Sequence, residues 1–228
     1  MHLDERLQAV AALVPKGSRF ADIGTDHAYL PVWLWEKGVI SAAVAGDIAT
    51  GPCQAARATV AMYGAAKAIT VRQGSGLAVL SPGEADCIAI CGMGGSTIIS
   101  ILEADIAVAK AARRLLLQPM AGAAALRRWL VQHGWRLVDE DLVDDPPHFY
   151  EIICAEPGAE QEHAEVEYLV GPSLLKAGHP LLAKQIGRHI KSLRELLSNM
   201  ERSERARASE KYKETQALLR ELEVLAHD

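Results

Sequence analysis

From about residue 20 to residue 155, short apolar runs alternate with stretches whose apolar residues recur at helical spacing. RFADIG reads as a first strand and HAYLPVWLWEKG as the helix that follows it. AAVAGDI is a second strand, and GPCQAARATVAMYG a second helix that Gly64 closes as a C-terminal cap. AITVRQG is a third strand. DCIAICG is a fourth, with a helix through STIISILEA, and RRLLLQP is a fifth, with AGAAALRRWLVQHG as its helix. The alternation then stops. GWRLVDEDLVDD and HFYEIICAEPG are two strand-like segments joined by a short Asp/Pro turn, too short for a crossover helix, so they should pair antiparallel. Ahead of the first strand, Leu3, Leu7, Val10 and Val14 are spaced for a helix that ends at Pro15 and packs on the sheet.

Beyond Glu156 the texture changes. GPSLLKAGHP reads as a linker. After it Leu182, Ile186, Ile190, Leu193, Leu197 and Met200 recur at steps of three and four, as do Tyr212, Thr215, Leu218, Leu219, Leu222 and Leu225. With the polar run ERSERARAS between them, these predict an antiparallel helical hairpin, a two-stranded coiled coil. The expected domains are therefore 1–157, a sheet domain, and 158–228, a linker with the helical hairpin. Five strand–helix units closed by a terminal hairpin depart from a six-stranded dinucleotide fold. They follow the plan of the class I S-adenosylmethionine (SAM) dependent methyltransferases, a Rossmann-like seven-stranded α/β sheet with its last strand antiparallel.

Composition narrows the picture. Half of the 228 residues are hydrophobic, enough for a substantial core, and no apolar run approaches the roughly 18–20 residues of a membrane span. The N-terminus lacks the order of a signal peptide, so a soluble, cytoplasmic protein is expected. Cys87 and Cys91 lie on one strand about 13 Å apart, too far for a disulfide or a shared metal. The histidines include no HExxH pairing, and no metal is expected. The net charge of -5 argues against indiscriminate coating of nucleic acid. Between Lys184 and Lys213, however, nine Lys/Arg face four Glu, which points to one polyanion-facing surface on an otherwise acidic chain.

The candidate chemistry sits where strands end. Asp22 and Gly24 place a carboxylate and a tight turn at the carboxyl edge of the first strand, where open α/β sheets bind ligands. Asp22 suits a cationic amino group better than a pyrophosphate. Asp47 ends the second strand and can accept from both hydroxyls of a ribose, a device shared by SAM and NAD proteins. Gln73, Gly74 and Ser75 follow the third strand, where side chains could reach an adenine edge. CGMGGSTI follows the fourth. Its glycines leave a helix N-terminus bare, which would suit a phosphate and favours a dinucleotide, or would face a transferable methyl group.

ADIGTDHAYLP, AGDI, RQGSGL, CGMGG, LLLQP and FYEII occur in one order at the spacing of the TrmK family, and from about Leu3 to Glu156 the chain resembles it. Those enzymes are SAM-dependent tRNA (adenine-N1)-methyltransferases that modify adenine 22. The resemblance implies SAM as cofactor and tRNA as partner; a monomer or weak dimer is expected. It assigns Asp22 and Gly24 to the cofactor's amino-acid end, Asp47 to the ribose with Ile48 beside it, and Gln73, Gly74 and Ser75 to the adenine. Gly92 and Met93 line the methyl-transfer loop. Ser75 stands where the family pattern has an acidic residue. On the substrate side are Gly94 and, on the hairpin, Arg188, Arg205 and Arg207.

Adenine N1 has a free lone pair at neutral pH and needs no base. Methyl transfer moves positive charge onto the ring, so a carboxylate beside it, Asp26, would accept from the exocyclic amine and favour the cation. Tyr29 would stack on the substrate base or on the cofactor, and His27 would help position either. The alternatives at this point are a methyltransferase of a small molecule or protein, and a noncatalytic RNA-binding module.

Overall fold

The computed structural model describes residues 1–227 and divides the chain into two compact units, one from Met1 to Glu162 and one from His163 onward. The first begins with α1 (Glu5–Ala12), started by the Asp4 carboxylate accepting the Leu7 N–H at 2.7 Å. There follow β1 (Ser18–Ile23), α2 (Tyr29–Glu36), β2 (Ile40–Asp47), α3 (Thr50–Met62), β3 (Ile69–Gln73), β4 (Cys87–Gly94) and α4 (Gly95–Ala104). The unit is completed by α5 (Ile106–Ala111), β5 (Arg114–Ala121), α6 (Ala123–Gln132), β6 (Trp135–Asp145) and β7 (His148–Pro157).

The seven strands form one sheet in the order β3-β2-β1-β4-β5-β7-β6. The first five pair in parallel, and β7 runs antiparallel to both β5 and β6. This is the Rossmann-like arrangement that the alternation and the terminal hairpin predict. Parallel strands covered on both faces must be apolar throughout. Accordingly Phe20, Ala45, Cys87 and Leu116 lie in one core cluster with Val10 of α1 and Leu34 of α2. Arg127 of α6, fully buried, fastens that helix to the hairpin through Glu140 at 2.5 Å and Glu151 at 2.7 Å. The chain leaves β1 in one direction and returns at β4 on the other side. A crevice therefore opens at the carboxyl ends of these two neighbours.

Three expectations change. The third strand has no helix after it, only a single 3-10 turn at Gly76–Val79. Gly74, Gly76, Pro82 and Gly83 leave no helical run before β4, and Leu77 and Val79 are buried as plugs instead. A short helix, α5, stands where none was expected. The supposed linker is also structured: α7 (Glu165–Val170) and α8 (Pro172–Ala177) occupy it. Pro172 takes the first position of α8, where its missing N–H is no loss, and Leu174 is buried.

The second unit continues with α9 (Leu182–Glu201), α10 (Glu204–Arg207) and α11 (Glu210–Leu225). Tyr212 donates to Glu201 at 3.0 Å and Arg194 to Glu223 at 2.6 Å, so residues later in α11 meet residues earlier in α9. The hairpin is antiparallel, and its core joins Ile186 and Leu222 to Val166 and Val170 of α7. Among the described residues no helix is long and apolar enough to cross a membrane, and no cluster of His, Cys, Asp and Glu is arranged to hold a metal ion. All four cysteines are free.

Candidate active site

At the end of β1 the chain turns sharply at Gly24, whose φ is +79°. The N–H groups of Gly24 and Thr25 both donate to the Gly46 carbonyl of β2, at 2.8 and 3.0 Å. The Thr25 hydroxyl accepts the Ala28 N–H at 3.1 Å and donates to the Asp22 carboxylate. Ala28 is held in the left-handed region at φ 54° and starts α2. Three consecutive polar or charged residues are thereby presented at the carboxyl edge on a loop fixed by backbone bonds.

The cleft there encloses about 410 Å³. Asp22 is in its floor, with only 9% of its surface exposed. Burial pushes its carboxyl up to about 6, opposed by the Thr25 hydrogen bond and the Arg6 guanidinium, and Asp47 pushes the same way as burial. Asp26, His27 and Tyr29 also line the cleft. His27 Nε2 lies 3.3 Å from Asp26 Oδ2, and the Tyr29 ring stacks on the imidazole at 5.0 Å between centroids and 11° between planes. Tyr29 remains 45% exposed, an aromatic face presented to solvent beside a carboxylate.

The other expected residues divide. Gly92 lines the cleft, whereas the Met93 side chain folds back over the β1 turn. Gly24 takes a positive φ that L side chains rarely adopt, and a Cβ there would stand 2.0 Å from the Met93 terminal methyl, so a side chain would also force that flexible end to move. Gly94 caps α4. Asp47 ends β2 with one oxygen accepting the Ala49 N–H at 2.7 Å. Ile48 is 67% exposed, an apolar side chain in water next to that carboxylate. The Gln73 amide nitrogen is committed to the Ile48 carbonyl at 3.1 Å and the Thr50 hydroxyl at 3.0 Å, and the Gly74 N–H bonds the Asp47 carbonyl at 2.9 Å. These bonds tie the ends of β2 and β3 together. Ser75 lines a separate hollow of about 290 Å³ with Leu77 and Ile101.

On the hairpin, ion pairing sorts the basic residues. Arg194 pairs with Glu223 and Lys213 with Glu210. Arg205 and Arg207 are exposed on α10, flanked by Arg202 and Lys211, and none of these four has an ion pair among the described residues. Arg188 is exposed on α9.

Sequence reading missed Arg6 and Gln118. Arg6, on α1, lines the cleft beside Asp22 and bonds Gln118 of β5 at 3.0 Å. The available signal was the lone amide of Gln118 in the otherwise apolar strand run LLLQP. Cys91 also lines the cleft, and burial holds its thiol up at about 12, so it stays protonated.

A buried acid and a positive-φ glycine at the switch point of a sheet in which β7 runs opposite to its neighbours fit a methyltransferase of the Rossmann-like class. Residues 3–153 match the family model described as a methyltransferase domain. The chain is 39% identical over 206 residues to the tRNA (adenine(22)-N(1))-methyltransferase of Bacillus subtilis, with 87% of each chain covered. The crystal structure of the B. subtilis m1A22 tRNA methyltransferase TrmK superposes with a TM-score of 0.87 at 35% identity, covering 97% of this chain and 98% of that one. The M. capricolum TrmK structure, in complex with S-adenosyl-homocysteine, gives 0.83 at 26% identity over 100% and 99% of the two chains. This chain belongs to the TrmK family of tRNA (adenine-N1)-methyltransferases.

Proposed function

We propose that the chain transfers the methyl group of SAM to N1 of adenine 22 in tRNA, using the cleft at the carboxyl ends of β1 and β4. The observation that carries this reading is the pairing of two unlike carboxylates across one turn, Asp22 near the end of β1 and Asp26 in the loop that follows. Asp22 is buried in the floor, and Asp26 is exposed at the mouth beside the stacked His27–Tyr29 pair. The residues present fit SAM. A buried carboxylate raised by desolvation gains from a cationic amine, and the Gly24 turn, at φ +79°, carries no side chain, so backbone lines that end of the cleft. When bound, SAM supplies an electrophilic methyl group on a sulfonium.

The protein's part is binding, orientation and charge management. Asp22 and Gly24 hold the amino-acid end. Asp47 accepts from the ribose hydroxyls through the oxygen not engaged by Ala49, with Ile48 covering that region. Gln73, Gly74 and Ser75 border the adenine. Gly92, Met93 and Gly94 form the backbone wall of the transfer site. Asp26 accepts from the exocyclic amine of the target base and offsets the positive charge that appears on its ring. His27 holds Asp26 and supports Tyr29, whose exposed face stacks on the base. No group is required to take a proton from N1 before it reacts.

Residues 158–228 supply the tRNA grip outside the cleft, through Arg188, Arg205 and Arg207. The target adenine reaches the cleft by local opening of the tRNA. The protein acts in the cytoplasm as a monomer or weak dimer. Incubation with isotopically labelled SAM and unmodified tRNA, followed by nucleoside analysis, should yield 1-methyladenosine at one position. Label recovered on another base, or none on tRNA while a small molecule or protein is labelled, refutes the reading.

A further inference from the structure

LLLQP and FYEII belong to the motif set, yet neither cofactor binding nor base binding uses them. Gln118, in the first, is completely buried on β5 beneath the cleft. Its side-chain oxygen accepts two hydrogen bonds, from the Gly92 N–H at 3.0 Å and from Arg6 Nη1 at 3.0 Å. Both neighbours are donors, so turning the amide over would set its NH₂ against two N–H groups; only one orientation is compatible with the site. The bond to Gly92 replaces one that the sheet cannot make. Cys91 pairs with Gln118 and Met93 with Pro119, so Gly92 is an extra residue on β4, a bulge with φ +75°. Its N–H leaves the ladder and is caught by the side chain of the residue opposite. Arg6 is fixed from two further directions, lying 5.6 Å from the centre of the Tyr150 ring of FYEII and 3.7 Å from the Asp4 carboxylate.

We propose that Gln118 is a positioning residue for methyl transfer: its oxygen ties the bulged Gly92 of the transfer loop to Arg6 of α1, fixing the wall of the cleft opposite the Asp22–Asp26 loop. It touches neither cofactor nor base and acts through Gly92 and Arg6. The proposal rests on the functional reading above. It accounts for the two unused motifs together, since Gln118 holds Arg6 from β5 and Tyr150 holds it from β7.

The test is a pair of variants, Gln118→Leu, which removes the acceptor at similar volume, and Gln118→Glu, which restores an oxygen. Single-turnover transfer to tRNA at saturating SAM, calorimetric binding of S-adenosylhomocysteine and thermal melting are measured for each. Loss of the tie should slow transfer by Gln118→Leu on the order of 10- to 100-fold, because small displacements of a positioned wall act on the chemical step. Product affinity should change less than about threefold, and Gln118→Glu should return the rate to within about threefold of the parent, the change expected when geometry rather than binding is restored. A Gln118→Leu chain that melts like the parent and transfers at the parent's rate overturns the proposal. So does a folded Gln118→Glu chain as slow as Gln118→Leu. If Gln118→Leu does not fold, Gln118→Met, flexible and of similar length but without the carbonyl oxygen, decides the question: slow transfer with product affinity within about threefold supports the tie, and parent-like transfer overturns it. A parent protein that leaves tRNA unmethylated refutes the functional reading itself, an outcome distinct from an active parent with an equally active variant.

Discussion

Asp22→Asn should make the ligand-free protein more stable and nearly useless. Burial raises the Asp22 carboxyl from the ordinary 3.8 to about 6 in the folded chain. That difference corresponds to roughly 3 kcal/mol between the protonated and charged forms. Because the folded value lies above the unfolded one, the associated stability is fully present below about pH 4. It declines as pH rises and is gone above about pH 6. At pH 7.5 the parent therefore carries a charged group in a site that favours a neutral one. The asparagine substitution keeps an acceptor for Thr25 and removes the charge. We expect it to stabilise the first unit at pH 7.5 by about 1–3 kcal/mol, with the gain shrinking toward zero near pH 4. All four tryptophans, Trp33, Trp35, Trp129 and Trp135, lie in that unit, so denaturant titrations followed by tryptophan fluorescence at several pH values read it directly. The same substitution removes the partner of the cofactor's ammonium. S-adenosylhomocysteine should bind on the order of 10- to 100-fold more weakly, the scale of a hydrogen bond between charged groups. For the parent, its affinity should fall as pH drops below about 6, where Asp22 takes up a proton. A stability difference that is absent at pH 7.5 or does not vary with pH refutes the burial argument. Unchanged product affinity in the Asp22→Asn protein refutes the ammonium assignment.

Asp47→Ala should weaken S-adenosylhomocysteine by roughly 1–3 kcal/mol in calorimetry, and an unchanged dissociation constant in a folded protein removes the ribose assignment. Asp26→Ala and Asp26→Asn should hold product affinity within a few fold and lose most of the transfer rate; near-normal turnover in both would show that charge management lies elsewhere. Arg205→Ala combined with Arg207→Ala should weaken tRNA binding and flatten its log–log salt dependence by about 0.7 to 0.9 for each phosphate no longer neutralised. Equal slopes for parent and double variant would show that the bend neutralises no phosphate. SAM binding by that variant should match the parent's, since both arginines lie in the second unit and the cofactor residues in the first.

Much of this protein was legible in the order of its residues. The strand–helix alternation, the final hairpin and the two long helices of the second unit follow from apolar spacing over a few residues. Neighbours along the chain decide that spacing. Asp22, Gly24, Asp47 and Gly92 could be grouped from sequence because parallel strands bring all their carboxyl ends to one edge, whatever their separation in the chain. Local pattern misled where glycine and proline acted through context. The stretch after β3 has no helix because its turns are used to bury Leu77 and Val79, and Pro172 begins a helix where a linker was expected. Tertiary structure alone decided the rest. Arg6 and Gln118 stand 112 residues apart, and no periodicity links an α1 cation to a β5 amide. The bulge at Gly92 exists only as a mismatch between two paired strands. Ion pairing across the helical hairpin selects which cations remain at its bend. The raised carboxyl of Asp22 is likewise a property of what surrounds it: the same residue in an exposed turn would titrate with ordinary aspartates, because desolvation is set by the packed chain around a group.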